Sequence, residues 1–348
     1  MMQIMQLFVR MGMNVKFWPH NGWYDPKYGA YLEQIGVEIY WGNGQSQSFS
    51  RWVKNHGKYI DYFLLSRPDV AIWYIDAARA SSNARILYYG HDIHHLRLAQ
   101  QRSVAQNDLR AHKEEQRVEE VEQRIWRNVD VIYYPSDSET EYVNAYLSDK
   151  TSKAVARTLP AFGYDKIPQS LGEEITERRD VMFVAGFGHF PNVDGAIWLV
   201  KSVMPLVWEQ RPDVRLYLVG SNPMDEVVAL GGPKVTVTGY VSEDVLTEYY
   251  GKIRVSLAPL RFGAGVKGKV VEAMCNGVPI VTTSVGLQGL HDLTNIVPSG
   301  DTPELFALET LRLLKDDERW QNISMQVLQY ARERFSVKAM EQALAKDM

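Results

Sequence analysis

The chain has 348 residues, 45% of them hydrophobic and 23% charged, with a net charge of −4. This fits an ordinary globular protein of two domains, each large enough for its own core, and argues against a general nucleic-acid binder, which would be basic. The single cysteine, Cys275, excludes an internal disulfide framework and suits a reducing cytoplasm, and no run approaches the roughly 20 apolar residues of a bilayer span. Residues 1–10 lack the basic start and cleavage site of a signal peptide. The 9 Trp and 19 Tyr fit a large core and an interdomain surface, and are also compatible with sugar stacking.

Residues 1–11 predict an amphipathic helix, with Ile4, Leu7, Phe8 and Met11 at helical spacing and Gly12 as its stop. A strand at 14–18, a helix at 25–35 ended by Gly36 and a strand at 37–40 follow. This alternation belongs to a parallel, doubly wound α/β sheet. It continues with a helix near 50–66 and strands at 70–74 and 86–89. The segment GHDIHHLR at 90–97 puts His91, Asp92, His94 and His95 just past the carboxyl end of a strand, where open α/β sheets hold ligands. A zinc site would need three or four converging ligands, with His112 the one further candidate nearby. Histidines simply opening a solvated helix are the competing reading.

Residues 96–128 predict one long charged helix whose KEEQRVEEVEQR run is a solvated face with i,i+4 pairs. A strand at 129–133 leads to Ser136-Asp137-Ser138-Glu139, a capping box for a helix to Leu147. A last strand at 154–159 precedes a Pro-, Gly- and Glu-rich linker. The second domain opens with a strand at 181–185, a loop holding Gly186 and Gly188, and a helix at 192–207. Strands at 214–219 and 235–238 end in Gly220 and in Gly239-Tyr240-Val241, and a short helix covers 246–250.

The stretch 257–283, LAPLRFGAGVKGKVVEAMCNGVPIVTT, organises the rest. An apolar run at 255–260 enters a loop holding Arg261, Gly263, Gly265, Lys267, Gly268 and Lys269, then a helix at 270–275 closed by Asn276-Gly277, then a strand at 280–283. Glycines let backbone N–H groups approach a diphosphate and the helix dipole favours its charge. The same spacing also occurs in α/β proteins without a ligand. Glu272, one turn inside the helix, would repel phosphate and should face hydroxyls such as a ribose. A turn at 284–290 predicts a flexible loop able to close over a sugar, 296–297 a short edge strand, and 303–315, 318–335 and 337–345 three helices.

This stretch resembles the donor-site signature of the family 4 retaining glycosyltransferases, in the branch reading PLRxGAGxKxKxxEAM, and VIYYPSDSE resembles that family's V.VSP.E segment. The resemblance implies the GT-B fold: two Rossmann-like, doubly wound domains facing across a cleft. It implies an acceptor-side domain at 1–160, a linker at 161–179, a nucleotide-sugar donor domain at 180–335, and a helix at 336–348 crossing back onto the first domain. It further implies transfer of a hexose from a nucleotide-diphosphate sugar to a glycan or lipid-linked acceptor, with retention, in surface polysaccharide assembly. No cofactor or essential metal is expected, and the setting is cytoplasmic, with room for peripheral contact at the inner membrane face.

Under the resemblance Arg261, Lys267 and Lys269 hold the diphosphate with Gly186, Gly188, Gly220, Gly263 and Gly265, and Glu272 holds the ribose. Main-chain groups at Tyr240 and Val241 flank the base, and His91 with Asp92 faces the sugar. A first glutamate carried by many members is Ala264 here, and the cations that usually end the Gly186 loop are replaced by His189, Pro191 and Asn192. Relatives also begin with a strand and a glycine turn, whereas this sequence starts in a helix. A break in the first sheet is expected, with the strand supplied by a missing segment or a partner, unless the sheet has rearranged. A non-catalytic nucleotide-sugar or glycan binder, or part of a larger enzyme, is the alternative class. A pyridoxal-dependent phosphorylase shares the architecture but matches less well.

Overall fold

A computed structural model describes all residues except 105–108, 149–151, 172–173 and 264. The chain divides into two compact units, Met1–Gly163 with Met340–Met348, and Tyr164–Ala339. Both are α/β with parallel sheets.

Unit 1 runs α1 (Met2–Arg10), β1 (Lys16–Phe17), α2 (Pro26–Gln34), β2 (Glu38–Ile39), α3 (Gln45–His56), β3 (Tyr62–Ser66), α4 (Pro68–Ala71), α5 (Ile75–Ser81), β4 (Arg85–Tyr89), α6 (His94–Val104), α7 (Leu109–Asn128), β5 (Val131–Tyr134), α8 (Asp137–Ser148) and β6 (Val155–Thr158). Local chemistry explains several boundaries. Asp25 caps α2 by accepting from the N–H groups of Lys27 and Tyr28 at 2.9 and 3.0 Å, with Pro26 preset for the first turn. Ser136 accepts from the N–H of Glu139 at 3.3 Å and donates its hydroxyl to that carboxylate, so the expected capping box forms.

The sheet of unit 1 is broken. β1 and β2 pair with each other, and β3-β4-β5-β6 form a separate parallel sheet. Each of β1 and β3 therefore leaves one edge without a strand partner among the described residues. The break in this sheet lies between β1 and β3. Aromatic side chains link the two pieces: Trp18, just past β1, stacks on Tyr40 at 3.8 Å and meets the edge of Phe49, which in turn meets Phe63 of β3. Helix α1 covers the small sheet through Met5, packed with Leu32 and Val37.

Three expectations in this unit are corrected. No strand forms at 70–74: Pro68 opens α4, which ends at Ala71 and is followed by a turn at 72–74, and the strand is the preceding YFLLS run, because a short apolar run does not by itself reveal its period. The helix near 50–66 consequently starts at Gln45 and ends at His56. The single helix at 96–128 is two, α6 and α7, with 105–108 outside the described residues.

Unit 2 runs β7 (Val181–Val184), α9 (Phe190–Trp198), α10 (Met204–Gln210), β8 (Leu216–Val219), α11 (Asp225–Val228), β9 (Val235–Gly239), α12 (Glu243–Lys252), β10 (Val255–Ala258), α13 (Gly268–Cys275), β11 (Ile280–Thr282), α14 (Pro303–Lys315) and α15 (Asp317–Phe335), and α16 (Val337–Ala345) carries the chain back to unit 1. The helix expected at 192–207 is interrupted by a π turn, Leu199–Val203, just before Pro205, which has no N–H to donate. Residues 296–297 are not a strand; a single parallel bridge joins Thr282 to Ser299 nearby. The segment expected to be a flexible loop begins as a tight 3₁₀ turn, Ser284–Leu287, with Leu287 and Leu290 buried.

The sheet order β11-β10-β7-β8-β9 fixes where a ligand belongs. The chain lays down β7, β8 and β9 toward one edge, then crosses to the other side of β7 for β10 and β11. The switch point lies between β7 and β10, and open α/β sheets leave a crevice at their carboxyl ends there.

Candidate functional site

In unit 2 the loops after β7 and β10 meet at that switch point. Each leads into a helix whose first turn has no side-chain cap: α9 after His189, and α13 after Lys267. Gly195 lets α9 press against the end of β10, since a Cβ there would lie 2.7 Å from the carbonyl oxygen of Pro259. The turn after β8 is as tight. Gly220 has φ +145°, and a Cβ on it would stand 1.9 Å from the carbonyl oxygen of Ala185. Gly263 and Gly265 take φ of +137° and +71°, which lets the loop after β10 fold over itself. Ala264 between them lies outside the described residues. A side chain at Gly186 or Gly188 would meet little, 3.9 Å from Ser221 and 3.4 Å from Asn222, so these glycines leave open space beside the loop.

The three expected cations are held in three different ways. Arg261 forms a two-pronged pair with Asp194 of α9, one bond at 2.8 Å. Lys267 donates to the Gly265 carbonyl at 2.6 Å and to Gln288 at 3.2 Å. Lys269 donates to Asn192, whose amide donates to the Gly186 carbonyl at 2.8 Å, and its ammonium lies 5.0 Å from the Phe183 ring centre. Burial, then the neighbouring Lys267, pulls the Lys269 pKa down to about 7. Glu272 is half-buried and accepts from the Tyr250 hydroxyl at 3.3 Å; burial pushes its pKa up. At the ends of β8 and β9, Gly220 donates its N–H to Gly239 at 3.1 Å, the Tyr240 ring is 76% exposed, and Val241 packs on the core. Asn192, Asp194, Tyr250 and Gln288 belong to this set and were not singled out as site residues from sequence.

In unit 1 the other candidates sit past β4. Gly90 is obligatory, because a Cβ would lie 2.2 Å from the Tyr134 ring. His91 follows in the left-handed region with φ +68°, its Nε2 2.8 Å from the Ser66 hydroxyl and its ring edge-on to Tyr89. Burial first, then the amino terminus and Arg67, lowers its pKa to about 4, so at neutral pH it is an uncharged imidazole. Asp92 binds Arg97 at 2.6 Å and His94 at 2.9 Å. His95 is committed elsewhere, to Glu122 at 2.7 Å and Tyr142 at 3.2 Å. Asp92 and His94 are thus paired with each other, and the backbone N–H groups of His94 and His95 both donate to Glu122, at 3.0 Å each, while His91 is held apart by Ser66. Among the described residues no group of three or more His, Cys, Asp or Glu is arranged to hold a metal, and none of the described helices is long and apolar enough to cross a membrane.

Residues 178–316 match the family described as Glycosyl transferases group 1. A protein of Klebsiella pneumoniae, described as an uncharacterized 44.6 kDa protein in the cps region, is 24% identical over 214 residues, covering 57% of this chain and 53% of that protein. The chain thus spans about half the length of the curated relative it matches. HepE of Anabaena, solved with UDP and glucose, superimposes with a TM-score of 0.66 at 14% identity, over 99% of this chain and 95% of that one. Sucrose-phosphate synthase of Thermosynechococcus elongatus gives 0.60 at 18%, over 87% and 78%. The molecule accordingly has the GT-B fold, and its second unit contains a glycosyl transferases group 1 domain over residues 178–316.

Proposed function

We propose that this chain is a retaining hexosyltransferase of the family 4 kind, taking a nucleotide-diphosphate sugar as donor and a glycan or lipid-linked hydroxyl as acceptor, in assembly of a surface polysaccharide. The observation that carries the reading is the pair of uncapped helix starts, α9 and α13, at the switch point, with Lys267 and Lys269 beside them. As the glycosidic bond breaks, negative charge grows on the leaving diphosphate, and fixed N–H groups and cations aimed at it lower the barrier. Lys267, Lys269 and Arg261 serve the leaving group, and releasing Arg261 to it means breaking its Asp194 pair. Glu272 takes the ribose hydroxyls, and main-chain groups at Tyr240 and Val241 flank the base. His91 and Asp92 are assigned to the reacting sugar, with uncharged His91 acting through hydrogen bonds. No resident cofactor or essential metal enters the proposal, and chelator should leave turnover intact.

UDP, found in the HepE complex, is the first nucleotide to try. A thermal-shift panel of nucleotide sugars followed by a transfer assay tests the reading; the anomeric configuration of the product, read by NMR, tests retention. Glu272→Gln should impair donor binding more than folding, and equal loss of both would make Glu272 structural. The break between β1 and β3 favours a second reading, a non-catalytic nucleotide-sugar binder or a chain completed by a strand from another segment or a partner. Donor hydrolysis by the isolated chain would exclude the non-catalytic form.

A further inference from the structure

Unit 1 holds an open groove of about 380 Å³ between α3 and the turn after α4, lined by Ser46, Gln47, Ser50, Arg51, Lys54 and Trp73. The first five lie along one stripe of α3, and Trp73, 62% exposed, stands opposite. No carboxylate lines the groove. Most arginines of this chain are spent on carboxylates, as in Arg79 with Asp130, Arg117 with Glu114 and Arg124 with Asp76. Arg51 and Lys54 make no ion pair or hydrogen bond among the described residues, so two exposed cations face one groove uncompensated in an acidic protein.

We infer that this groove binds an anionic saccharide, a sugar carrying a phosphate or carboxylate. Each lining group has a part in that chemistry. Arg51 and Lys54 meet the anion, Arg by its planar fork and Lys as a point charge. The Ser46 and Ser50 hydroxyls and the Gln47 amide supply donors and acceptors for sugar hydroxyls. The Trp73 indole offers a rigid apolar face to the C–H side of the ring at low entropic cost. The volume is at the small end of ligand sites, suited to one or two sugar units. Two cations and one indole are too few for a nucleic-acid track, which needs repeated phosphate contacts.

The inference rests on the transferase reading only in taking this as the acceptor side; saccharide binding stands without it. Calorimetry on the full chain tests it with tetragalacturonic acid, maltotetraose 1-phosphate and neutral maltotetraose. An anionic probe should bind at least tenfold more tightly than the neutral one, and its affinity should fall with salt. The double variant Arg51→Ser/Lys54→Ser should lose at least tenfold for the anionic probe, and Trp73→Ala should weaken any probe that binds, with UDP affinity and melting temperature unchanged because these side chains are exposed. Whether the carboxylate or the phosphate probe binds tells which anion the groove takes. No binding of either anionic probe at millimolar concentration, or binding that the double variant leaves intact, would overturn the inference. A wild-type chain that binds an anionic probe but not UDP would instead remove the donor reading while sustaining this one.

Discussion

Lys269 and Asn192 are bonded side chain to side chain across the switch point of the second sheet, and Asn192 also holds the Gly186 carbonyl at 2.8 Å. One buried amide thereby fixes the loop after β7 to the first turn of α13. Asn192→Ala removes both bonds and leaves a buried ammonium and a carbonyl short of a partner, at a cost of about 1–3 kcal/mol. The variant should melt at lower temperature and bind UDP more weakly, read by calorimetry.

The same lysine should make UDP affinity depend on pH. With its pKa lowered to about 7 by burial, Lys269 loses its charge as pH rises through neutrality, and a bound diphosphate must draw the proton back. UDP affinity should fall from pH 6.5 to 8.5 with proton uptake on binding, measurable in buffers of different ionisation enthalpy. Lys269→Gln should flatten that slope, and the difference between the two proteins separates Lys269 from the titration of UDP itself.

Histidine 91 should leave a signature in stability. Its folded pKa of about 4 lies below the value of about 6.5 expected in the unfolded chain, so the unfolded state takes up the proton first. The stabilising contribution is complete above about pH 6.5 and is lost as pH falls toward 4, at up to about 1.4 kcal/mol per pH unit. Denaturant melts of the wild type should show this loss, and His91→Asn, which tolerates the left-handed backbone, should reduce it.

Much of unit 2 was legible before any coordinates. A strand, a glycine- and lysine-rich loop and a helix closed by Asn-Gly are local patterns, and each came out within a few residues of its expected bounds. The partners of the cations were not legible. Lys269 meets Asn192 across 77 residues and Arg261 meets Asp194 across 67, pairings created by β7 lying beside β10. Strand order of that kind leaves no trace in periodicity. The misplaced strand within residues 50–74 has another cause: YFLLS and VAIWY are both short apolar runs, and only Pro68 between them hints which one is not a strand.

Gly220 should tolerate no side chain. Its φ of +145° and the 1.9 Å approach of a Cβ to the Ala185 carbonyl combine backbone strain with a clash against main chain. Gly220→Ala should cost at least about 2 kcal/mol, seen as a lower urea midpoint. Gly186→Ala, where the nearest atom is 3.9 Å away, should leave the midpoint nearly unchanged.

The account depends on an anion cradle at the start of α13, and UDP affinity tests it most directly. Calorimetry should show UDP binding to the intact chain, with Lys267→Ala and Lys269→Ala each weakening it at least tenfold, about 1.4 kcal/mol, while the proteins still melt cooperatively. Unchanged affinity in both folded variants would contradict the cradle, and with it the assignment as a sugar transferase.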